Sequence, residues 1–192
     1  MKKYLYIILL AYSAGAVKAQ TNMPVGILKI GDKMPDVVLT NLLNTPAKTI
    51  RLSDYKGKLV LIDFWDTHCG NCIAAIPGLD SLQKKLPQKI KIILVDPFES
   101  DRERDVKLMI AREKQWSGIN LKLPVVFQDT TVSKFFTFQA VPVCAWISPN
   151  GRLIALTDDD AVTAANIERV LKGESIILEP KQRRVSNSKP KT

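Results

Sequence analysis

The run KLVLIDFW, residues 58–65, is apolar except at Lys58 and Asp63, and the pair Cys69 and Cys72 follows it closely. A short continuous apolar run offers no polar face to water, so it reads as a strand covered on both sides of a sheet. Behind the cysteines, Ile73, Ile76, Leu79, Leu82 and Leu86 recur at helical spacing, which predicts a helix whose outer face carries Asp80, Ser81, Lys84 and Lys85. KIKIILVD, residues 89–96, repeats the buried-strand pattern and is expected to lie parallel to the first strand. Strand, helix and parallel strand form one unit, with the cysteine pair at the turn into its helix. That unit restricts the chain to an α/β architecture in which helices cover a sheet.

The remaining segments fit around it. Ser100-Asp101-Arg102-Glu103 has the capping-box spacing and predicts an inserted helix from Ser100, with Val106, Met109 and Ile110 as its apolar stripe. LPVVFQD, from Leu123, is strand-like, and TTVSKFF suggests a turn of helix. VCAWIS and RLIALT flank the turn signal PNG and predict a hairpin, which makes the sheet mixed. Ile167, Val170 and Leu171 mark a closing helix that stops at Gly173. IGDKMPDVVLT and TIRLSDYKGK predict an N-terminal strand pair and a short connection. With 46% apolar and 24% charged residues, the 192-residue chain has the composition of one globular domain.

The two ends read differently from this domain. Lys2 and Lys3 precede an apolar run from Tyr4 to Val17, and Val17-Lys18-Ala19 presents small residues for cleavage. Residues 1–19 are therefore expected to be a signal peptide cut after Ala19. The run is shorter than the roughly 20 residues of a membrane span; a retained anchor is the alternative. Export, with a bacterial periplasm as the expected compartment, places the thiols where disulfides form and exchange. The domain then spans 20–176, and 177–192 form a basic tail. The net charge of +9 falls to about +6 without Lys2, Lys3 and Lys18, and the tail holds about +4 of that. A nearly neutral domain with a solvated basic end gives no sign of a nucleic-acid function.

Three readings of the Cys69–Cys72 pair compete. A tetrahedral metal site needs four ligands, whereas the chain has only one further thiol, Cys144, and one histidine, His68. No metal site is expected. A structural cross-link stabilises more as its loop lengthens, and this loop is very short. The third reading fits best. A helix start favours negative charge, so it lowers the pKa of the first thiol, and the second thiol lies within reach to resolve a mixed disulfide.

The segment DFWDTHCGNCIAAIP, residues 63–77, resembles the active site of the thioredoxin superfamily, and the flanking IGDKMPDVVL resembles its exported TlpA/ResA-like thiol–disulfide oxidoreductases. The likeness runs from about Ile30 to Gly173. It rests on Phe64-Trp65, the CxxC pair, Pro77 and the AVPV segment around Pro142. It implies a thioredoxin-like fold: a central mixed β-sheet flanked by helices, with an N-terminal strand extension and an inserted helix. It implies Cys69 as nucleophile, Cys72 as resolving thiol, and Asp63 as a buried acid that accepts the proton of Cys72. Pro142 would be a cis-proline, and Trp65, His68, Val141 and Pro142 would bind an extended substrate segment. Pro77 would bend the active-site helix or end it.

Two residues depart from the usual pattern. His68 stands where the family usually has tryptophan, and Gly70-Asn71 replaces a proline-containing dipeptide. An imidazolium beside Cys69 would make the disulfide more oxidising; an exposed ring lining the docking groove is the plainer reading. Cys144, on a predicted core strand, is expected to be an inert buried thiol rather than a third redox group. The reaction implied is reduction of disulfides in exported proteins, apocytochromes among them, with electrons from a membrane thiol transporter. No bound cofactor is needed, since the cysteines carry the electrons. A disulfide-donating oxidase, a peroxidase and a non-catalytic binding module are the alternatives.

Overall fold

The structure, a computed structural model, describes residues 26–178. The expected leader and its cleavage point after Ala19 lie outside them, as does the basic tail beyond its first two residues.

The described residues form eight strands and three α-helices, which, β2 apart, follow the order the sequence patterns suggest. The strands are β1 (Val38–Leu39), β2 (Leu42–Leu43), β3 (Ile50–Arg51), β4 (Leu59–Phe64), β5 (Ile90–Val95), β6 (Val125–Val126), β7 (Val143–Ile147) and β8 (Leu153–Thr157). The helices are α1 (Gly70–Lys85), α2 (Glu103–Ser117) and α3 (Ala164–Leu171). Six strands form one mixed sheet in the order β2-β6-β5-β4-β7-β8, while β1 and β3 pair antiparallel as a separate N-terminal ribbon. Within the sheet, β4 runs parallel to β5 and antiparallel to β7. Every residue of β4 is buried, as a strand at the centre of a doubly covered sheet requires.

Alternation along β4 divides the interior. Leu59, Leu61 and Trp65 enter a core shared with Cys72, Ile76 and Leu79 of α1 and with Ile167 and Val170 of α3. Val60, Ile62 and Phe64 face the opposite core, which the N-terminal segment covers with Leu28, Met34, Val37 and Leu39. The strand extension thus closes the sheet face that α1 does not cover.

Pro77 lies inside α1 and the helix runs on to Lys85, so the proline does not end it. Two expectations are overturned. Asp80 does not face outward: it is 1% exposed, accepts the Lys122 N–H at 2.7 Å and is ion-paired with Lys84. The connection before β6 crosses α1 there, and an unpaired backbone N–H outweighs helical periodicity. The second helix does not start at Ser100. It starts at Glu103 with Arg102 as N-cap, whose N–H donates to Asp105 at 3.3 Å. Asp101, the second residue of the apparent capping box, is buried and used elsewhere.

Candidate active site

The site lies where β4 ends and α1 begins. Cys69 is the N-cap of α1, and its sulfur accepts the Cys72 N–H at 3.2 Å. The two cysteines form a disulfide with their Cα atoms 5.3 Å apart. Cys72 is fully buried, whereas Cys69 is only half-buried. Only the first sulfur offers a surface to an incoming thiolate or disulfide, and the helix start that caps it favours its anionic form.

The loop entering Cys69 is built from short polar contacts. Asp66 accepts the His68 N–H at 2.6 Å, and Asp101 accepts the Thr67 N–H at 2.6 Å. The His68 side chain is 82% exposed and faces Asp101, with Nδ1 3.5 Å from its Oδ1. Asp96, which follows β5, stands behind this loop. Burial, together with the neighbouring Asp101 and Asp66 carboxylates, outweighs a hydrogen bond from the Phe98 N–H and pushes its pKa up to about 8.

Asp63 is 1% exposed, so it does not reach solvent from the strand end. It pairs across the strands with Cys144 of β7, on the sheet face beneath α1. Burial first, and then Asp159, raise its pKa well above the ordinary carboxylate range. Asp159 belongs to a 3-10 turn, Asp159–Ala161, after β8. Burial raises it to about 6, while a hydrogen bond from Asp63 holds it lower. Neither carboxyl finds another donor among the described residues. The two shifts favour a protonated Asp63 that donates to the Asp159 carboxylate. Asp159 was not legible in the sequence: TDDDA looks like a solvated loop, and nothing local marks its middle acid as half-buried.

The Val141–Pro142 bond is cis, and both residues are half-buried beside the start of β7. Val141 packs against both cores. Trp65, expected on the docking surface, is 0% exposed. It continues the buried face of β4 into the core under α1, so it is a packing residue and presents nothing to a substrate. Cys144 is buried and free, and burial, then Asp63 and Asp159, raise its pKa well above the ordinary thiol value. A thiolate is thereby disfavoured there, as an inert thiol requires. A groove of about 460 Å³ runs from Thr67 and His68 along α2, past Ile73, Leu108 and Trp116. Trp116 is 75% exposed and Leu108 49%, an apolar surface that the sequence pattern did not single out.

Residues 30–155 match the model of the AhpC/TSA family. The chain is 34% identical over 129 residues to the thiol-disulfide oxidoreductase ResA of Bacillus thuringiensis, covering 66% of this chain and 68% of that protein. The fold is similar to that of a thiol:disulfide interchange protein DsbE from Chlorobium tepidum, with a TM-score of 0.57 and 22% identity over 76% of this chain and 94% of the other. It is also similar to the exposed lipoprotein thioredoxin Etrx1 of Streptococcus pneumoniae, with a TM-score of 0.52 and 25% identity over 72% of this chain and 97% of the other.

Proposed function

We propose that this chain, which belongs to the AhpC/TSA family and is a thioredoxin-fold thiol–disulfide oxidoreductase of the ResA type, reduces protein disulfides outside the cytoplasm. The observation that carries the direction is Asp63, a fully buried acid on the sheet face that it shares with Cys72. Resolution requires the thiol of Cys72 to lose a proton inside the protein, and a buried carboxyl pair supplies the acceptor.

The reaction begins with both cysteines reduced. The Cys69 thiolate attacks one sulfur of a client disulfide, forming a mixed disulfide and releasing the other client sulfur as a thiolate that takes a proton from water. Cys72 then gives its proton to Asp63, which passes its own to Asp159 and, through that half-buried group, to solvent. The Cys72 thiolate attacks the Cys69 sulfur and expels the second client thiolate, so two electrons leave and the disulfide seen here forms. The client segment lies along the Val141–Pro142 edge, with His68 and the α2 groove beside it.

Extracytoplasmic placement is supported by the likeness to the exposed lipoprotein thioredoxin. In this reading residues 1–19 are removed after Ala19, the domain spans 20–176 and the 177–192 tail stays outside it. A membrane thiol transporter would recharge the pair, and exported proteins such as apocytochromes would be the clients.

The test is the reduction potential of the Cys69–Cys72 pair, by glutathione or dithiothreitol equilibration. A value near the thioredoxin figure of about −270 mV is expected, and one near about −120 mV would make the protein a disulfide donor. Turnover of a disulfide substrate should vanish in Cys69→Ser. In Asp63→Asn the mixed-disulfide resolution should slow by roughly tenfold or more, with an altered pH profile. An unchanged profile would remove Asp63 from the proton path.

A further inference from the structure

Three side chains outside the thiol chemistry converge on the loop that leads into Cys69. Ligand atoms of Asp66, His68 and Asp101 all lie within 4.8 Å of one another. The Asp101 side chain is 1% exposed, and its Oδ1, the atom facing His68 Nδ1, has no hydrogen-bond partner among the described residues. Behind it Asp96, 0% exposed, also leaves Oδ2 without one. Among the described residues no lysine or arginine is ion-paired with any of these three acids. Gathered carboxylates without a counter-charge cost free energy at a site this enclosed.

The two proposed carboxylate ligands are held by their other oxygens. Asp66 Oδ1 takes the His68 N–H and Asp101 Oδ2 takes the Thr67 N–H, both at 2.6 Å. That leaves the second Asp66 oxygen and Asp101 Oδ1 for a common partner, while His68 Nδ1, 3.3 Å from the Thr67 hydroxyl, must exchange that contact to join them; the carboxylates are oriented by outer hydrogen bonds as metal ligands usually are. We infer that Asp66, His68 and Asp101 bind one divalent cation of the Zn²⁺ or Mn²⁺ type. One imidazole and two carboxylates suit such ions, and three protein ligands leave room for water. The expectation of no metal site was drawn from the thiols and the single histidine, and this site uses neither cysteine of the pair.

The test is a calorimetric titration of Zn²⁺ into the full-length chain with the Cys69–Cys72 disulfide intact, so that no thiolate of the pair competes. One equivalent should bind with Kd below about 100 μM. His68→Ala and Asp66→Asn should each weaken binding at least tenfold. His68 is exposed and its removal leaves the fold in place, and in Asp101→Asn the side-chain carbonyl still accepts the Thr67 N–H, so loss of binding there is loss of a ligand. A proton shared between Asp96 and Asp101 would by itself satisfy both orphan oxygens, and it predicts no uptake. Absence of saturable binding, or equal affinity in His68→Ala, overturns the inference. No turnover is measured, so either result leaves the reductase reading to its own test.

Discussion

The two faces of β4 are one residue apart in sequence and opposite in character. On one, Val60, Ile62 and Phe64 join an apolar cluster, and Phe64 lies against the rings of Phe136 and Phe138 with centroids 5.2 and 4.9 Å away. On the other, Asp63 interrupts the packing between Leu61 and Trp65 and faces a second acid and a thiol. The first face stabilises the domain and does no chemistry. The second holds buried carboxyls on the face that also packs Cys72. Stability and reactivity are therefore separable by mutation, strand position by strand position.

The largest effect should come from the quiet face. Phe64→Ala is expected to destabilise the protein by about 3–5 kcal/mol in urea or thermal unfolding, with the potential of the cysteine pair unchanged. A shifted potential would show that the faces communicate.

Asp159→Asn probes the reactive face through pH. The folded-state pKa of Asp159 is raised from 3.8 to about 6, so between those values the unfolded chain holds fewer protons than the folded one. The stability that this group contributes is then fully present below about pH 4 and is lost as pH rises through about 6. The variant should flatten that fall by about 1–3 kcal/mol, and parallel curves for variant and parent would refute the carboxyl pair.

Cys144→Ala should cost about 1 kcal/mol and leave turnover and potential as they were. Altered redox behaviour would restore Cys144 as a third redox thiol. The smallest stability change belongs to Trp116→Ala, within about 0.5 kcal/mol for a side chain so exposed. Its effect should appear as a raised KM for a protein disulfide and not for a small one.

What the sequence made legible follows from the range of the forces involved. β4, β5 and α1 could be read because continuous burial and helical periodicity are local patterns, and both survive folding. The Cys69–Cys72 pair was legible for the same reason: a strand end and a helix start fix its surroundings. Asp80, Asp101 and Asp159 were not, because each is defined by a partner far away in the chain: Lys122, Thr67 and Asp63. Trp65 misled in the other direction, since the family resemblance put it among the substrate-binding residues and the strand's alternation buries it. The two-residue β2, which closes the sheet edge by pairing with β6, is too short to leave a pattern at all.

The 2.6 Å hydrogen bond from Thr67 to Asp101 has a mechanical meaning. Thr67 sits just ahead of Cys69, and Asp101 just ahead of α2, so the entrances of two helices far apart in the chain are leashed together. The inserted helix is thus a lever arm with its short end tied to the reactive loop. Under the proposed reaction, a client leaning on Trp116 and one reaching for the Cys69 sulfur would load the same tether.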